Sequence, residues 1–150
     1  MNTTKLFLAA ILAVLFGSLA EGFTSEKLMI KGYDPVAYFT TGKPAKGLKD
    51  FEHQWRGATF RFSSKANLEL FKKEPEKYAP QYGANCAYAV SQGYTAPVDP
   101  QAWDIVNGKL YLNYSKSVQK NWREKRDDYI ASADKNWPEI KAKEQKKKSE

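Results

Sequence analysis

The fold is decided by residues 58–89, which read ATFRFSSKANLELFKKEPEKYAPQYGANCAYA. Residues 59–62 alternate polar and aromatic side chains, a pattern typical of a half-buried strand. In the run that follows, Leu68 and Phe71 are three residues apart, which predicts an amphipathic helix. Either of the two serines before this run can cap the helix, because a hydroxyl accepts a hydrogen bond from a free amide of the first turn.

The end of this helix and the approach to the cysteine are also marked in the sequence. Pro75 disfavours helical geometry at Glu74, so we expect the helix to end there. Pro80 and Gly83 then turn the chain and lead it to Cys86, the only cysteine. We expect the segments on either side to cover this unit.

A first β-hairpin is predicted at the start of this unit. Residues 51–55 alternate strictly, an Arg-Gly pair follows, and residues 58–62 alternate again. Successive side chains of a strand point to opposite faces, so His53 shares its face with Phe51 and Trp55. His53 is the only histidine, and we expect it to be partly covered.

The other elements are predicted from their local patterns. Residues 102–113 form a second hairpin around Asn107-Gly108, a dipeptide favoured where both turn residues need positive φ. Residues 36–39 predict a short strand, and residues 87–93 a short helix. A second main helix begins at Ser117 and carries the apolar residues Val118, Trp122, Tyr129 and Ile130. The predicted fold is a small α+β domain, with two β-hairpins and a short strand packed with two main helices.

Five spaced motifs resemble the YHS domain family and, more narrowly, its exported, stand-alone bacterial members. They are GYDPVAYF at 32–39, FRFSS at 60–64, PEKYAPQYG at 75–83, CAY at 86–88 and GKLYLN at 108–113. The resemblance covers roughly residues 30–138. It implies a hairpin-plus-helix core at residues 51–88, related to small metal-binding domains that use paired cysteines.

The two ends of the chain differ from this domain. Residues 1–20 have the layout of a secretory signal peptide, with Lys5, an apolar run at 6–16 and small residues at 18–20. The run is shorter than the roughly 20 residues of a membrane span, although an uncleaved anchor is the alternative. We therefore expect export to the periplasm or the extracellular space, without stable membrane insertion.

The predicted organisation has four parts: a signal peptide at 1–20, a flexible leader at 21–27, a YHS-like domain at 28–138 and a Lys-rich tail at 139–150. The formal net charge of the chain is +7, and much of the excess lies in the tail. The tail could contact an anionic surface, but it lacks interleaved aromatic residues for stacking on bases. We expect a frayed, solvated tail after Trp137 and Pro138, and no nucleic-acid partner.

Several chemistries are excluded by residue counts and missing motifs. There is no glycine-rich phosphate loop and no Gly-x-Ser-x-Gly elbow. One histidine and one cysteine exclude a three-histidine or cysteine-rich zinc site within one chain. A single cysteine also excludes a disulfide within the chain.

The candidate metal ligands are Cys86 and, with it, His53. A thiolate is a soft ligand that suits Cu(I) or zinc, so the cofactor we consider first is a metal ion, copper by preference. The candidate ligand-binding residues around them are Tyr33, Asp34, Tyr82 and Tyr88. In the alternative interpretation Cys86 is a small buried core residue, His53 is a partly buried histidine, and the aromatic residues build the core.

The function that we predict is an exported, non-enzymatic binding protein that holds a metal ion or a small molecule near Cys86. One alternative is an enzyme, or an accessory subunit of one, that uses Cys86 and His53. A further alternative is a structural or interaction module with an inert Cys86 and another exported protein as its partner.

Overall fold

The computed structural model describes residues 26–150 of the chain. This part contains two small β-sheets and six α-helices. The predicted α+β class is confirmed. The predicted signal peptide at 1–20 and most of the leader at 21–27 lie outside the described residues. None of the helices within residues 26–150 is both long and apolar enough to cross a bilayer.

The strands are β1 (Lys27–Leu28), β2 (Leu48–Trp55), β3 (Ala58–Phe62), β4 (Trp103–Val106) and β5 (Lys109–Leu112). The helices are α1 (Ala37–Thr40), α2 (Lys65–Lys73), α3 (Pro75–Tyr78), α4 (Ala87–Ser91), α5 (Lys116–Glu124) and α6 (Arg126–Ser149). Two 3-10 turns lie at Met29–Gly32 and Gln81–Ala84.

Both predicted hairpins are confirmed. In the first sheet β3 lies in the middle, antiparallel to β2 and parallel to β1. Strands β4 and β5 form the second sheet, and Asn107 and Gly108 have φ of 51° and 74° in the turn between them. Positive φ at both turn residues matches the right-handed twist of the strands, which explains why Asn-Gly predicts this hairpin well.

Helix α2 begins and ends where the sequence predicts. The Ser64 hydroxyl accepts a hydrogen bond from the Asn67 amide at 3.1 Å and caps the first turn. The helix ends before Pro75, which then begins α3. Phe71 lies on the buried face of α2, with its ring centroid 4.7 Å from that of Phe60 and 5.1 Å from that of Phe62. This contact joins α2 to β3 in the main core.

The predicted strand at 36–39 is wrong, because this segment forms helix α1. The Asp34 carboxylate oxygen Oδ1 accepts hydrogen bonds from the amides of Val36 and Ala37, at 2.8 and 3.2 Å. These bonds satisfy free amides of the first turn and override the strand preference of the apolar run. The short strand of the fold is β1, which precedes the first 3-10 turn.

The C-terminal helix differs from the prediction in two ways. It is divided at Lys125, whose φ and ψ of −133° and 41° are not helical, into α5 and α6. The expected end at Trp137 and Pro138 is wrong, because α6 continues through Pro138 to Ser149. Trp137 and Ile140, on either side of the proline, both pack against a buried cluster that includes Trp122. This packing offsets the backbone hydrogen bond that a proline removes from a helix.

The buried Asp34 carboxylate ties α1 to the junction of β3 and α2. Its oxygen Oδ2 accepts hydrogen bonds from the Ser63 amide at 2.8 Å, the Ser63 hydroxyl at 2.7 Å and the Asn67 side-chain amide at 2.7 Å. Asp34 is fully buried, and within residues 26–150 it has no ion-pair partner. Five hydrogen bonds therefore compensate for its desolvation.

We predict that Asp34→Ala lowers the free energy of unfolding by about 3 kcal/mol, because it leaves five donors without their acceptor. Asp34→Asn should also destabilise the fold. The NH₂ group of the asparagine would replace one of the two carboxylate oxygens and would then face hydrogen-bond donors. The measurement is urea unfolding followed by circular dichroism. Asp99→Asn is the matched control: Asp99 accepts one exposed hydrogen bond from the Gln101 amide, and an asparagine oxygen can accept the same bond. Equal unfolding midpoints for the Asp34 variants and the wild type would contradict this role.

Candidate functional site

Cys86 lies in a buried hydrogen-bonded node. Its side chain is 1% exposed. The sulfur Sγ accepts a hydrogen bond from the Tyr114 amide at 3.3 Å and donates one to the Asn113 oxygen Oδ1 at 3.5 Å. The same Asn113 oxygen accepts the Tyr88 amide at 3.1 Å. The thiol therefore links the start of α4 to the end of β5, and its burial agrees with the core-residue alternative.

One donor beside this thiol is unused. The Asn113 side chain is fully buried, and its nitrogen Nδ2 has no hydrogen-bond partner within the part of the chain that the structure describes. A buried donor of this kind favours an acceptor, such as an ordered water molecule. The group next to Cys86 is thus an unused hydrogen-bond donor rather than a second anionic side chain that could bind a metal ion.

His53 lies on β2 and is partly covered by the core, as predicted. Its ring packs edge-on against Phe71, with centroids 6.1 Å apart. The contacts of His53 are thus aromatic, whereas those of Cys86 are with Asn113 and Tyr114. Among residues 26–150 no group of three or more His, Cys, Asp or Glu side chains is placed to hold a metal ion. Joint metal binding by Cys86 and His53 stays a prediction.

The four residues predicted to bind a ligand lie in different surroundings. Asp34 uses both carboxylate oxygens to accept hydrogen bonds from the protein. Tyr33 is half-buried in a backbone bridge to Lys46, and the Tyr88 ring packs against Tyr129 with centroids 5.3 Å apart. Tyr82 lines a cleft. Of these four residues, only Tyr88 takes part in the hydrogen-bonded node at Cys86, and it does so through its backbone amide.

The cleft at Tyr82 has a volume of about 400 Å³. We call it the tryptophan cleft, because Trp55 and Trp137 are among its walls. Arg56, Glu76 and Lys141 are its charged lining residues. The other lining residues are Met29, Ala58, Phe60, Ala79, Pro80, Gln81, Tyr82 and Gly83.

Parts of the chain that are distant in sequence meet in this cleft. The first hairpin contributes Trp55 and Arg56, the segment around the second 3-10 turn contributes Tyr82, and α6 contributes Trp137 and Lys141. The Tyr82 and Trp137 ring centroids are 5.9 Å apart. The sequence did not indicate the contribution of α6, because the prediction ended the ordered chain at Trp137.

The turn that lines the cleft has an unusual backbone. Tyr82, Gly83 and Ala84 have consecutive φ values of 56°, 58° and 56°. Left-handed geometry costs roughly 1–2 kcal/mol for each residue that has a Cβ. A Cβ at position 83 would lie 3.6 Å from the Trp137 ring, an ordinary van der Waals contact, so the positive φ of Gly83, rather than a lack of space, is what favours glycine there. Strain of this kind persists only where the surrounding structure holds it, and it is common at binding sites.

A second, smaller cleft lies next to this turn and is lined in part by Ala84. It has a volume of about 300 Å³, and Lys27, Lys31 and Asn85 are among the residues that line it. The Lys27 ammonium donates a hydrogen bond to the Gly83 carbonyl at 2.6 Å, and burial lowers the pKa of Lys27. This lysine therefore stabilises the strained turn through its hydrogen bond to Gly83.

Tyr82 is held in its protonated form. Burial raises the pKa of Tyr82 above its ordinary value, and the hydrogen bond that its hydroxyl donates to the Asp134 carboxylate at 2.8 Å raises that pKa further. The cleft wall at Tyr82 therefore stays uncharged at neutral pH. The hydrogen bond also fixes the ring relative to α6.

A family model described as the YHS domain matches residues 36–82. The match confirms the resemblance to this family over residues 36–82. No curated protein and no solved structure matches the chain. The matched segment includes His53, Trp55 and Arg56, whereas Cys86 and Trp137 lie beyond its end.

The raised pKa of Tyr82 predicts a loss of stability in alkali. The unfolded chain releases the phenol proton near pH 10, whereas the folded chain keeps it to a higher pH, so stability is complete below pH 10 and falls above it. Each such tyrosine contributes a slope of about 1.4 kcal/mol per pH unit. Tyr82→Phe should make the pH dependence of the unfolding free energy shallower by that amount, whereas Tyr94→Phe, at an exposed position, should leave it unchanged. Equal slopes for Tyr82→Phe and wild type would contradict the prediction.

Proposed function

We propose that the protein is an exported, non-enzymatic binding protein that holds a small ligand in the tryptophan cleft. The observation that carries the proposal is the meeting of Trp55, Tyr82 and Trp137 around a volume of about 400 Å³. Ligand sites in proteins are typically clefts of roughly 300–1,000 Å³ with apolar and aromatic walls and a few polar groups. The tryptophan cleft has this composition.

The contacts of Cys86 and His53 favour binding over catalysis. A cysteine nucleophile needs a base within hydrogen-bond reach and an exposed path to its substrate. The Cys86 thiol is buried and bonded to Asn113 and Tyr114, and the His53 ring packs on Phe71. These arrangements support a structural role for both side chains and leave the tryptophan cleft as the site of function.

Export is supported by the sequence of the N-terminus. Residues 1–20 carry a basic residue, a short apolar run and small residues in the order of a secretory signal. In the proposal the mature domain works in the periplasm or outside the cell, and its ligand is a molecule of that compartment.

We predict that the folded protein binds the neutral fluorescent probe N-phenyl-1-naphthylamine, because the aromatic walls can cover its rings. Trp137→Ala should weaken this binding about tenfold, since it removes the aromatic wall that the probe would cover, and tenfold corresponds to about 1.4 kcal/mol. The measurement is a fluorescence titration, with circular dichroism to show that each variant is folded. The control is Tyr94→Ala, which removes an exposed aromatic ring away from the cleft lining and should bind like the wild type. No binding by the wild type, or equal binding by Trp137→Ala, would overturn the proposal.

A soft metal ion at Cys86 is the second candidate function. The YHS domain is associated with metal handling, copper in particular. Cysteine sulfur is a soft ligand that suits copper or zinc, and the sulfur of Cys86 already accepts a hydrogen bond from the Tyr114 amide. Binding would require the sulfur to exchange its hydrogen bonds for the metal ion, with His53 as the proposed further ligand.

If this second candidate is right, Cys86→Ser should abolish stoichiometric Cu(I) binding without changing the circular dichroism spectrum, because it removes the soft donor alone. The measurement is competition with a chromogenic Cu(I) chelator. His53→Ala should weaken binding if the histidine is a ligand. Undiminished Cu(I) binding by Cys86→Ser would rule out the candidate.

A further inference from the structure

We infer that the tryptophan cleft selects small organic anions, with a flat apolar body against Trp137 and an acidic group beside Lys141. The inference rests on the proposed function and names the class of ligand that the same site takes. It depends on the charges around the cleft, on the position of Arg56 over Trp55, and on the size of the cavity.

The charged side chains of the lining carry a net positive charge. They are the cations Arg56 and Lys141 and the carboxylate Glu76, which together give a charge of +1. Arg56 forms an ion pair with Glu76. Lys141 has no ion-pair partner among residues 26–150, so its charge is the one that remains uncompensated. A cavity with apolar walls and one uncompensated cation favours a ligand with one negative group.

A cationic ligand is disfavoured by the same residues. Aromatic faces attract cations, and tryptophan attracts them best. At Trp55, however, the Arg56 guanidinium already lies over the ring, with its carbon Cζ 4.3 Å from the ring centroid. A second cation in the cleft would meet the charges of both Arg56 and Lys141. The Trp137 ring therefore serves as apolar surface for an uncharged body.

Neighbouring charged groups outside the lining offset one another. The Asp134 carboxylate accepts the hydrogen bond of the Tyr82 hydroxyl and is not among the lining residues. The Lys27 ammonium donates to the carbonyl of Gly83, which does line the cleft, and the Glu144 carboxylate acts on the same ammonium. The cavity volume of about 400 Å³ suits a molecule of two or three rings or a short chain with a terminal acid.

A matched pair of probes separates the acidic group from the apolar body. 1-Anilinonaphthalene-8-sulfonate has the same rings as N-phenyl-1-naphthylamine and adds one sulfonate. We expect the sulfonate to bind the wild type about fivefold more tightly than the neutral probe, the upper effect of one exposed charge pair. Raising the salt concentration should reduce this difference. Near-UV circular dichroism shows that the protein stays folded in both titrations.

Lys141→Gln should remove this preference, because it keeps a polar side chain one atom shorter and deletes its charge. The sulfonate probe should then bind about three- to fivefold more weakly, and the ratio of the two affinities should fall to about one. The control is Lys143→Gln, on the same helix but ion-paired with Glu139 and outside the lining, which should change neither affinity.

The outcomes distinguish this inference from the function on which it rests. Equal wild-type affinities for the two probes, both weakened by Trp137→Ala, would overturn the selection of anions and leave the binding function standing. A preference for the sulfonate that survives in Lys141→Gln would overturn the role of Lys141. Failure of both probes to bind the folded wild type would overturn the binding function itself.

Discussion

Five hydrogen bonds to one buried carboxylate hold together parts of this fold that are distant in sequence. One oxygen of Asp34 starts helix α1, and the other joins the amide and hydroxyl of Ser63 to the side chain of Asn67. Helix α1 in turn buries Tyr38, whose hydroxyl donates to the Pro100 carbonyl at 2.9 Å, before the second hairpin. An unsatisfied carboxylate would be costly at this depth, so the folded state depends on these donors being in place. The first 3-10 turn, which precedes Asp34, lies beside β3. There it contacts the second 3-10 turn.

The contact between the two 3-10 turns connects the fold to the candidate site. Ile30 and Lys31 in the first turn and Tyr82 and Ala84 in the second all have left-handed backbones, which residues with a Cβ seldom adopt. The strain is maintained by packing: Ile30, Tyr82 and Ala84 are buried, and α6 covers the second turn through Trp137. A rigid turn of this kind can present Tyr82 to the cleft without reorganising when a ligand binds, and such preorganisation lowers the entropic cost of binding.

The elements predicted correctly are those fixed by local chemistry. The Asn107-Gly108 hairpin, the capped start of α2 and its end at Pro75 each depend on neighbours in sequence. Helix α1 was missed although its capping bonds are local, between Asp34 and the amides two and three residues further on, because the apolar run at 36–39 also fits a short strand. The continuation of α6 through Pro138 was missed because only tertiary packing sustains it. The candidate site was predicted less well than the fold, since Trp137 and Lys141 reach the cleft through that continuation of α6. Trp55, in contrast, lies in a hairpin that the alternating pattern predicts.

The central claim is that the mature protein carries a small organic ligand in the tryptophan cleft, and that Cys86 belongs to the framework. Native and denaturing mass spectra of protein purified gently from the exported fraction test it most directly. The native mass should exceed the denatured mass by that of a small organic molecule, and the difference should persist in Cys86→Ser and vanish in Trp137→Ala. Equal masses for the wild type, or a difference equal to a metal ion that vanishes only in Cys86→Ser, would contradict the claim.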